Sequence, residues 1–178
     1  MKVAMIRAAR PNDLPALREI ERAAGAPFRE LGMHAVAEDE PLSIAALAVF
    51  QEHGRAWVVA GDADRPVAYL IAEVVDGNVH IEQVSVHPAH ARQGLGSTLL
   101  DAVAAWAGQH GLPALTLTAY TNVPWNAPYY QRLGFQVIDE AQMTAGLRRI
   151  REREVARGLA AWPRVTMRRP ATSQRPAR

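Results

Sequence analysis

The spacing of apolar residues predicts a strand, a short loop and a helix in the middle of the chain. Residues 79–86, VHIEQVSV, have the composition of a strand that ends before Pro88, and residues 87–93 form the loop. A helix is predicted from Gly94, because the apolar residues that follow repeat at the period of one helix face. These residues are Leu95, Leu99, Leu100, Val103 and Trp106.

The same reasoning extends to the flanking segments and predicts a mixed α/β domain. A buried strand over 114–119 gives the central region the length of a parallel strand–helix–strand crossover. Asp76-Gly77 favours a hairpin turn, and Asp13 and Ser43 are suited to cap helices. Further strands are predicted over 2–8, 56–60, 67–75, 135–138 and 164–168, and further helices over 13–24, 43–53, 129–133 and 140–158.

Two segments lack a regular pattern. Residues 28–42 are predicted to be irregular, and they include the acidic run Glu38-Asp39-Glu40. Residues 170–178, PATSQRPAR, have no apolar periodicity and two prolines, so we expect a disordered, dispensable tail. The predicted domain therefore spans residues 1–169.

Composition excludes several classes of protein. The chain has 178 residues, of which 49% are apolar, which is enough for one domain with a substantial core. It has no cysteine, so disulfides, thiolate metal sites and a cysteine nucleophile are excluded. The sequence shows no signal peptide and no apolar run of membrane-spanning length. A soluble cytoplasmic protein is predicted.

Charge is unevenly distributed, although the net charge is only +2. Residues 147–178 hold ten arginines against two glutamates, whereas residues 1–146 hold ten basic against sixteen acidic side chains. A basic end could bind nucleic acid. A solvated helix face followed by a loose tail explains the same pattern more simply, so nucleic acid is the disfavoured partner.

The loop before the central helix suggests a phosphate-binding site. A helix that begins at Gly94-Leu95-Gly96 leaves its first N–H groups without intrahelical partners, and the positive end of its dipole attracts anions. Glycine lets a ligand approach the backbone closely. Alone this signal is weak, because two glycines at a turn are often only a turn.

Four motifs in this order resemble the GCN5-related N-acetyltransferase (GNAT) superfamily over residues 1–169. They are Val84-Ser85-Val86 before His87-Pro88, the segment Ala91-Arg92-Gln93-Gly94-Leu95-Gly96, Asn126-Ala127-Pro128-Tyr129-Tyr130, and Leu133-Gly134-Phe135. Ala91 stands where the family often has arginine or glutamine, and Arg92 is the obvious substitute. The resemblance implies a single α/β domain with a central twisted mixed sheet and helices on both faces.

The resemblance also implies transfer of an acetyl group from acetyl-CoA to a primary amine. Direct attack is expected, because no residue looks like a covalent acyl carrier. In the family, a bulge in the strand before the glycine loop exposes backbone groups to the pantetheine arm, with the Val84 N–H the expected donor to the thioester carbonyl. The implied acetyl-CoA contacts are Val84, Ser85, Val86, Arg92, Gln93, Gly94, Leu95, Gly96, Ser97, Asn126 and Tyr130. Asn126 is equally suited to cap the short helix after it.

Two residues are the candidates for proton transfer. Tyr130 matches the family's tyrosine that protonates the leaving thiolate, with Tyr120 as a second choice; a packing role is the alternative for Tyr130. Glu82 is the candidate for the base or the amine anchor, with His80 and Glu73 in reserve. A strand carboxylate paired with an arginine is the alternative for Glu82.

The acceptor remains open, as a small-molecule amine or a peptide amine, and so does a homodimer. Residues 25–42 are expected to form a wall of the acceptor site, with candidate contacts at Phe28, Arg29, Glu38, Asp39 and Glu40; Trp125 could line it or cover the core. His87 and His90 have no third ligand nearby, so no metal is expected. Alternative functions are a non-catalytic acyl-CoA-binding regulatory module and an acetyltransferase acting on an RNA-borne amine.

Overall fold

The computed structural model describes residues 4–171, and seven strands form one mixed sheet within it. The strands are β1 (Met5–Ala8), β2 (Ala56–Ala60), β3 (Pro66–Val75), β4 (Asn78–Val86), β5 (Ala114–Tyr120), β6 (Gln136–Val137) and β7 (Arg164–Pro170). They lie in the order β1-β2-β3-β4-β5-β7-β6. The predicted strands therefore all occur, and the strand predicted over 135–138 is reduced to the two residues of β6.

Six α-helices connect or flank these strands in the described part of the chain. They are α1 (Leu14–Gly25), α2 (His34–Ala37), α3 (Ile44–Glu52), α4 (Leu95–Gln109), α5 (Ala127–Arg132) and α6 (Ala145–Ala156). Ser43 caps α3, as predicted, by accepting a hydrogen bond from the Ala46 N–H at 3.1 Å. The α/β class with a mixed sheet flanked by helices is confirmed.

Strand pairing combines antiparallel and parallel contacts. β1 with β2, β2 with β3, β5 with β7, and β6 with β7 are antiparallel. β4 and β5 are parallel, and within the described residues their pairing consists of Val79 with Leu115 and His80 with Thr116. Asp76 and Gly77 both have positive φ, which is the conformation of the predicted two-residue hairpin turn.

The chain groups into two compact units. Within the described residues, the first contains 4–73 together with Glu82–Ala102. Its core forms where α1 and α3 bury their apolar faces against β2 and β3. The buried residues of this core are Ala9, Leu14, Leu17, Ile20, Leu47, Ala56, Val58, Tyr69 and Ile71.

Asp13 lies in a cluster of charged residues at the start of α1 in the first unit. Asp13 was predicted as the helix cap, but its side chain makes no cap hydrogen bond to α1. The Asp13 carboxylate instead accepts hydrogen bonds from the Arg7 guanidinium at 2.7 and 3.1 Å and from the Arg10 N–H at 2.7 Å. Burial alone would raise the pKa of Asp13, but these hydrogen bonds lower it below its usual value.

The second unit contains Val74–Ile81 and, of the described residues that follow, 103–171. Strands β5 and β7 form its centre, with Leu115, Leu117, Phe135 and Met167 buried. Helix α6 is attached to the β3–β4 turn, because the Gly146 N–H donates to Asp76 Oδ2 at 2.7 Å. A Cβ at Gly146 would lie 2.5 Å from that oxygen and 2.5 Å from Val75 Cγ1, so any other residue there would displace both side chains.

Three segments differ most from the sequence predictions. Residues 28–42 are not irregular, since they contain a 3₁₀ helix over Ala26–Leu31 and then α2. The long helix predicted over 140–158 is a 3₁₀ turn followed by α6. Pro170 belongs to β7, and Ala171 is buried with its N–H bonded to the Pro113 carbonyl at 2.9 Å. The other residues of the predicted tail, 172–178, lie outside the described residues.

Candidate active site

The turn before α4, residues 91–94, has an unusual backbone. Arg92 and Gly94 both lie in the left-handed region, with φ of 61° and 73°. Gly94 is exposed, and a Cβ added there would meet no heavy atom within 4 Å. Glycine is therefore favoured at 94 by the backbone conformation and leaves open space above the turn. We call residues 91–94 the glycine turn.

The glycine turn leads directly into the amino end of α4, which begins at Leu95. The Thr98 N–H donates to the Gly94 carbonyl at 3.0 Å, and the Thr98 hydroxyl donates to the same oxygen at 2.8 Å. The N–H groups of Leu95, Gly96 and Ser97 precede this first helical bond. They point out of the helix end together with the positive end of its dipole, which is the arrangement that binds phosphate groups.

The second half of β4 presents its backbone beside a fixed side chain. Ser85 is buried, and its hydroxyl accepts a hydrogen bond from Gln83 Nε2 at 2.7 Å. Val84 and Val86 are half-buried. Both lie beyond the last residue pair that joins β4 to β5, which is at His80.

The three candidate bases differ in their exposure. Glu82 on β4 is exposed, and Glu73 on β3 is half-buried. His80 is 2% exposed, and its Nδ1 lies 2.9 Å from Thr116 Oγ1. Burial, with a smaller effect of the Arg153 charge, lowers the pKa of His80 to about 4. Of the three, Glu82 is the carboxylate most open to an incoming amine.

Tyr130 lies on α5 with its ring packed against two aromatic neighbours. The ring centroids of Tyr129 and Phe135 are 5.4 and 5.8 Å away, both in edge-to-face geometry. Burial, together with Tyr129, raises the pKa of Tyr130 well above its usual value. The phenol therefore stays protonated at neutral pH, which is the state a proton donor needs.

Comparison with known families identifies the family of the chain. Residues 14–135 match the family described as the acetyltransferase (GNAT) family. The chain belongs to this family. It is therefore an acyltransferase, and the predicted resemblance is confirmed.

Solved structures share the fold of this GNAT chain. The ribosomal-protein-S18-alanine N-acetyltransferase from Escherichia coli is 20% identical, with a TM-score of 0.65 over 99% of each chain. The N-acetylglutamate synthase from Neisseria gonorrhoeae, solved with coenzyme A and N-acetyl-glutamate, is 18% identical, with a TM-score of 0.70 over 97% of this chain and 36% of that one. The PaiA N-acetyltransferase from Thermoplasma acidophilum, solved with coenzyme A, is 15% identical, with a TM-score of 0.68 over 94% and 99%.

Asn126 of this GNAT chain does not cap α5 with its side chain. Its Oδ1 accepts a hydrogen bond from the Tyr120 N–H at 2.7 Å, so the side chain ties the end of β5 to the loop before α5. The helix-cap alternative for Asn126 is wrong, because its side-chain oxygen accepts from Tyr120, six residues earlier, instead of from an N–H of α5. Its contact with acetyl-CoA remains a prediction.

The expected acceptor wall is largely neutralised by arginines. Glu40 lies 3.3 Å from Arg18 and 3.3 Å from Arg22, and Glu38 lies 3.4 Å from Arg29. These acidic groups are exposed and paired within the first unit. A simple attraction of a cationic amine to the acidic run is therefore weaker than the sequence suggests.

The two histidines near the glycine turn have a local structural role. His87 Nδ1 accepts a hydrogen bond from the Ala89 N–H at 3.1 Å, and the His87 and His90 ring centroids are 6.4 Å apart. Over residues 4–171, no group of three or more potential metal-ligating side chains occurs. Within the same residues no helix is long and apolar enough to cross a membrane.

Sequence reasoning missed a polar group in the core of the first unit. Tyr69 on β3 is fully buried, and its hydroxyl donates to Glu21 Oε2 on α1 at 3.0 Å. Burial, with the Glu21 charge, raises the pKa of Tyr69 well above its usual value, while a hydrogen bond with Ser85 opposes the shift. A tyrosine within an apolar strand is normally interpreted as a packing residue. No sequence signal therefore predicts the contacts of Tyr69 with Glu21 on α1 and Ser85 on β4.

Proposed function

We propose that this GNAT acetyltransferase transfers the acetyl group of acetyl-CoA to a primary amine of a small molecule or peptide by direct attack. The observation that carries the proposal is the glycine turn at the amino end of α4. Arg92 and Gly94 are left-handed and the space above Gly94 is open, and the first N–H groups of the helix that follows have no intrahelical partner. A diphosphate fits such a site by charge and by hydrogen bonding.

The glycine turn and the first turn of α4 would hold the diphosphate. Leu95, Gly96 and Ser97 supply backbone N–H groups, and the exposed side chains of Arg92 and Gln93 flank them. The side chain of Leu95 is buried and anchors the helix end, while its backbone N–H would donate to the diphosphate. The phosphate contacts of Gly94 and Gly96 depend on the backbone rather than on side chains.

Strand β4 would hold the pantetheine arm and the thioester. Backbone groups of Val84, Ser85 and Val86 are proposed to pair with the arm, and the Val84 N–H to stabilise the negative charge that develops on the carbonyl oxygen. Ser85 supports this role, because its side chain is buried and held by the hydrogen bond from Gln83, which fixes this part of the strand. The side-chain N–H₂ of Asn126 is a further proposed donor to the arm.

The chemistry requires two proton movements. The neutral amine forms a bond to the carbonyl carbon, the carbon–sulfur bond breaks, and the thiolate leaves. Glu82 is proposed to take the proton from the amine, directly or through water, and Tyr130 to donate to the thiolate. Both assignments follow the GNAT resemblance, supported by the exposed carboxylate of Glu82 and the protonated phenol of Tyr130.

Replacing Gly94 with valine tests the diphosphate site. The new side chain meets no protein atom, but it occupies the space above the turn and forces a branched residue to positive φ. We expect the dissociation constant of acetyl-CoA, measured by calorimetry, to rise on the order of 10–100-fold through lost hydrogen bonds to charged groups.

Gly111 provides a matched control for the cost of backbone strain. It follows the other end of α4, has φ of 69°, and a Cβ there also meets nothing within 4 Å. Gly111→Val should lower stability about as much as Gly94→Val, as measured by thermal unfolding, without changing acetyl-CoA binding. Wild-type affinity in Gly94→Val, or an equal loss of affinity in both variants, would contradict the proposed site.

Replacing Glu82 with glutamine tests the base. Glutamine keeps the shape of the side chain and cannot accept the proton, so the rate at pH 7 should fall on the order of 10²-fold. The rate should recover partly at high pH, where more of the acceptor amine is neutral without help. A pH–rate profile with one working acceptor, followed as free thiol, gives the measurement. If the profile overlays that of the wild type, Glu82 is not the base, and Glu73→Gln and His80→Asn are the next variants.

A further inference from the structure

The second unit contains a cavity that the proposed acetyl transfer does not use. Its volume is about 450 Å³, within the range of small-molecule sites. It is open to solvent on one side and is bordered by α6, the connection before α6 and strand β7. Ile138, Met143 and Val155 supply an apolar wall.

Two polar groups of this cavity lack partners. Thr166 is 3% exposed, and its hydroxyl oxygen has no hydrogen-bond partner among the described residues. Arg151 donates from Nη2 to the Arg164 carbonyl at 3.2 Å, but its Nη1 is buried and has no partner among the same residues. Leaving a buried donor unsatisfied is costly, especially on a charged group. An acceptor oxygen of a ligand would relieve both groups.

The charges around the cavity define the ligand further. The Arg164 guanidinium is already neutralised, since its Nε lies 2.8 Å from Glu154 Oε2 and its Nη2 donates to Thr118 Oγ1 at 2.8 Å. Of the two arginines that line the cavity in the described part of the chain, Arg151 is therefore the one that remains for a ligand anion. Glu140 and Glu152 also line the cavity and are exposed, which favours a cationic group at its mouth.

We propose that this cavity binds a free α-amino acid with an aliphatic side chain. Arg151 and Thr166 hold its carboxylate, Glu140 and Glu152 face its ammonium group, and Ile138, Met143 and Val155 enclose its side chain. A peptide fits less well, because its C-terminal carboxylate has no ammonium group beside it. The dianionic charge of a phosphate would be repelled by the two glutamates. The binding is independent of acetyl-CoA, so its failure would leave the proposed acetyl transfer untouched.

Calorimetry on the full chain with three related compounds tests the ligand chemistry. L-Leucine should bind with one-to-one stoichiometry. Its analogue without the carboxylate, 3-methylbutylamine, should bind on the order of 10–100-fold more weakly, because hydrogen bonds to a charged group are lost. The analogue without the ammonium group, 4-methylpentanoate, should lose less than about tenfold, because exposed glutamates contribute little. Absence of leucine binding, or equal binding of the amine, would overturn the proposal.

Variants separate ligand binding from folding. Thr166→Val has the same shape and removes an unsatisfied buried hydroxyl, so it should keep or raise the melting temperature while weakening leucine binding about tenfold. Arg151→Met should abolish the preference for leucine over 3-methylbutylamine. Arg149→Met is the matched control, because Arg149 is exposed on the same helix and does not line the cavity. Unchanged leucine affinity in Thr166→Val and Arg151→Met would overturn the assignment.

Methyl NMR locates the bound compound. The chain has five methionines, and Met143 is the one among the described residues 4–171 that lines the cavity. With labelled methionine methyl groups, leucine should shift the Met143 signal and leave that of Met33 in the first unit unchanged. Leucine binding without a shift at Met143 would place the ligand elsewhere and refute the site.

Discussion

Replacing Tyr130 with phenylalanine should lower the turnover number on the order of 10²–10⁴-fold, as for other positioned proton donors. Phenylalanine keeps the ring packed against Tyr129 and Phe135 and removes only the hydroxyl. Acetyl-CoA binding should hardly change, because the hydroxyl acts when the thiolate leaves. Steady-state kinetics and calorimetry on the same preparation measure the two quantities.

Tyr129→Phe is the matched control for this prediction. Tyr129 is adjacent in sequence, half-buried, and packed against the same ring. Its variant should retain most of the activity if the loss in Tyr130→Phe comes from proton donation. Because burial raises the pKa of Tyr130, wild-type activity should show no decline through ionisation of this phenol below pH 10. Full activity of Tyr130→Phe would exclude it as the acid and direct attention to Tyr120.

Acidification from pH 6.5 to pH 4 should lower the free energy of unfolding by about 3 kcal/mol through His80 alone. The pKa of His80 is lowered to about 4 in the folded protein by burial, with a smaller effect of Arg153, from a usual value of 6.5. Between these pH values the unfolded chain binds the proton and the folded chain does not. Stability therefore rises with pH across this window and is lost as the pH falls through it.

Urea unfolding at several pH values measures this effect. His80→Asn retains a polar group near Thr116 Oγ1 and cannot titrate, so its stability should change less with pH, even if it is lower at pH 7. His53→Asn is the control for the loss of an imidazole, because His53 is exposed on the surface of the first unit. If His80→Asn shows the full wild-type slope between pH 6.5 and 4, His80 does not account for the pH dependence.

Local sequence signals were enough for most of the fold. The strand Ala56–Ala60 and the end of β3 at Val75 agree with the predicted boundaries, because apolar runs bounded by turn residues are strong signals. Ser43 and the Asp76-Gly77 turn behave as their residue types predict. The segment 28–42 was misjudged because its helices are only four and six residues long, too short to show a helical period.

The candidate site was predicted less completely than the fold. The glycine turn could be predicted, because the residues that form it are consecutive in the sequence. Asn126 was open to misreading, because its partner is the Tyr120 N–H and a cap is the commoner use of asparagine before a helix. The Glu21–Tyr69 contact joins residues 48 positions apart, and no local pattern encodes a pairing at that distance.

The close fit of Gly146 against the β3–β4 turn has an evolutionary consequence. Away from the proposed ligand cavity, exposed positions of α6 such as Arg149 can accept substitutions one at a time, whereas Gly146 and Asp76 are joined by a hydrogen bond and lie in close contact. A lineage that changes either residue must change the other or rebuild the turn. Among descendants of this sequence, we expect these exposed positions to diversify while Gly146 and Asp76 are inherited together.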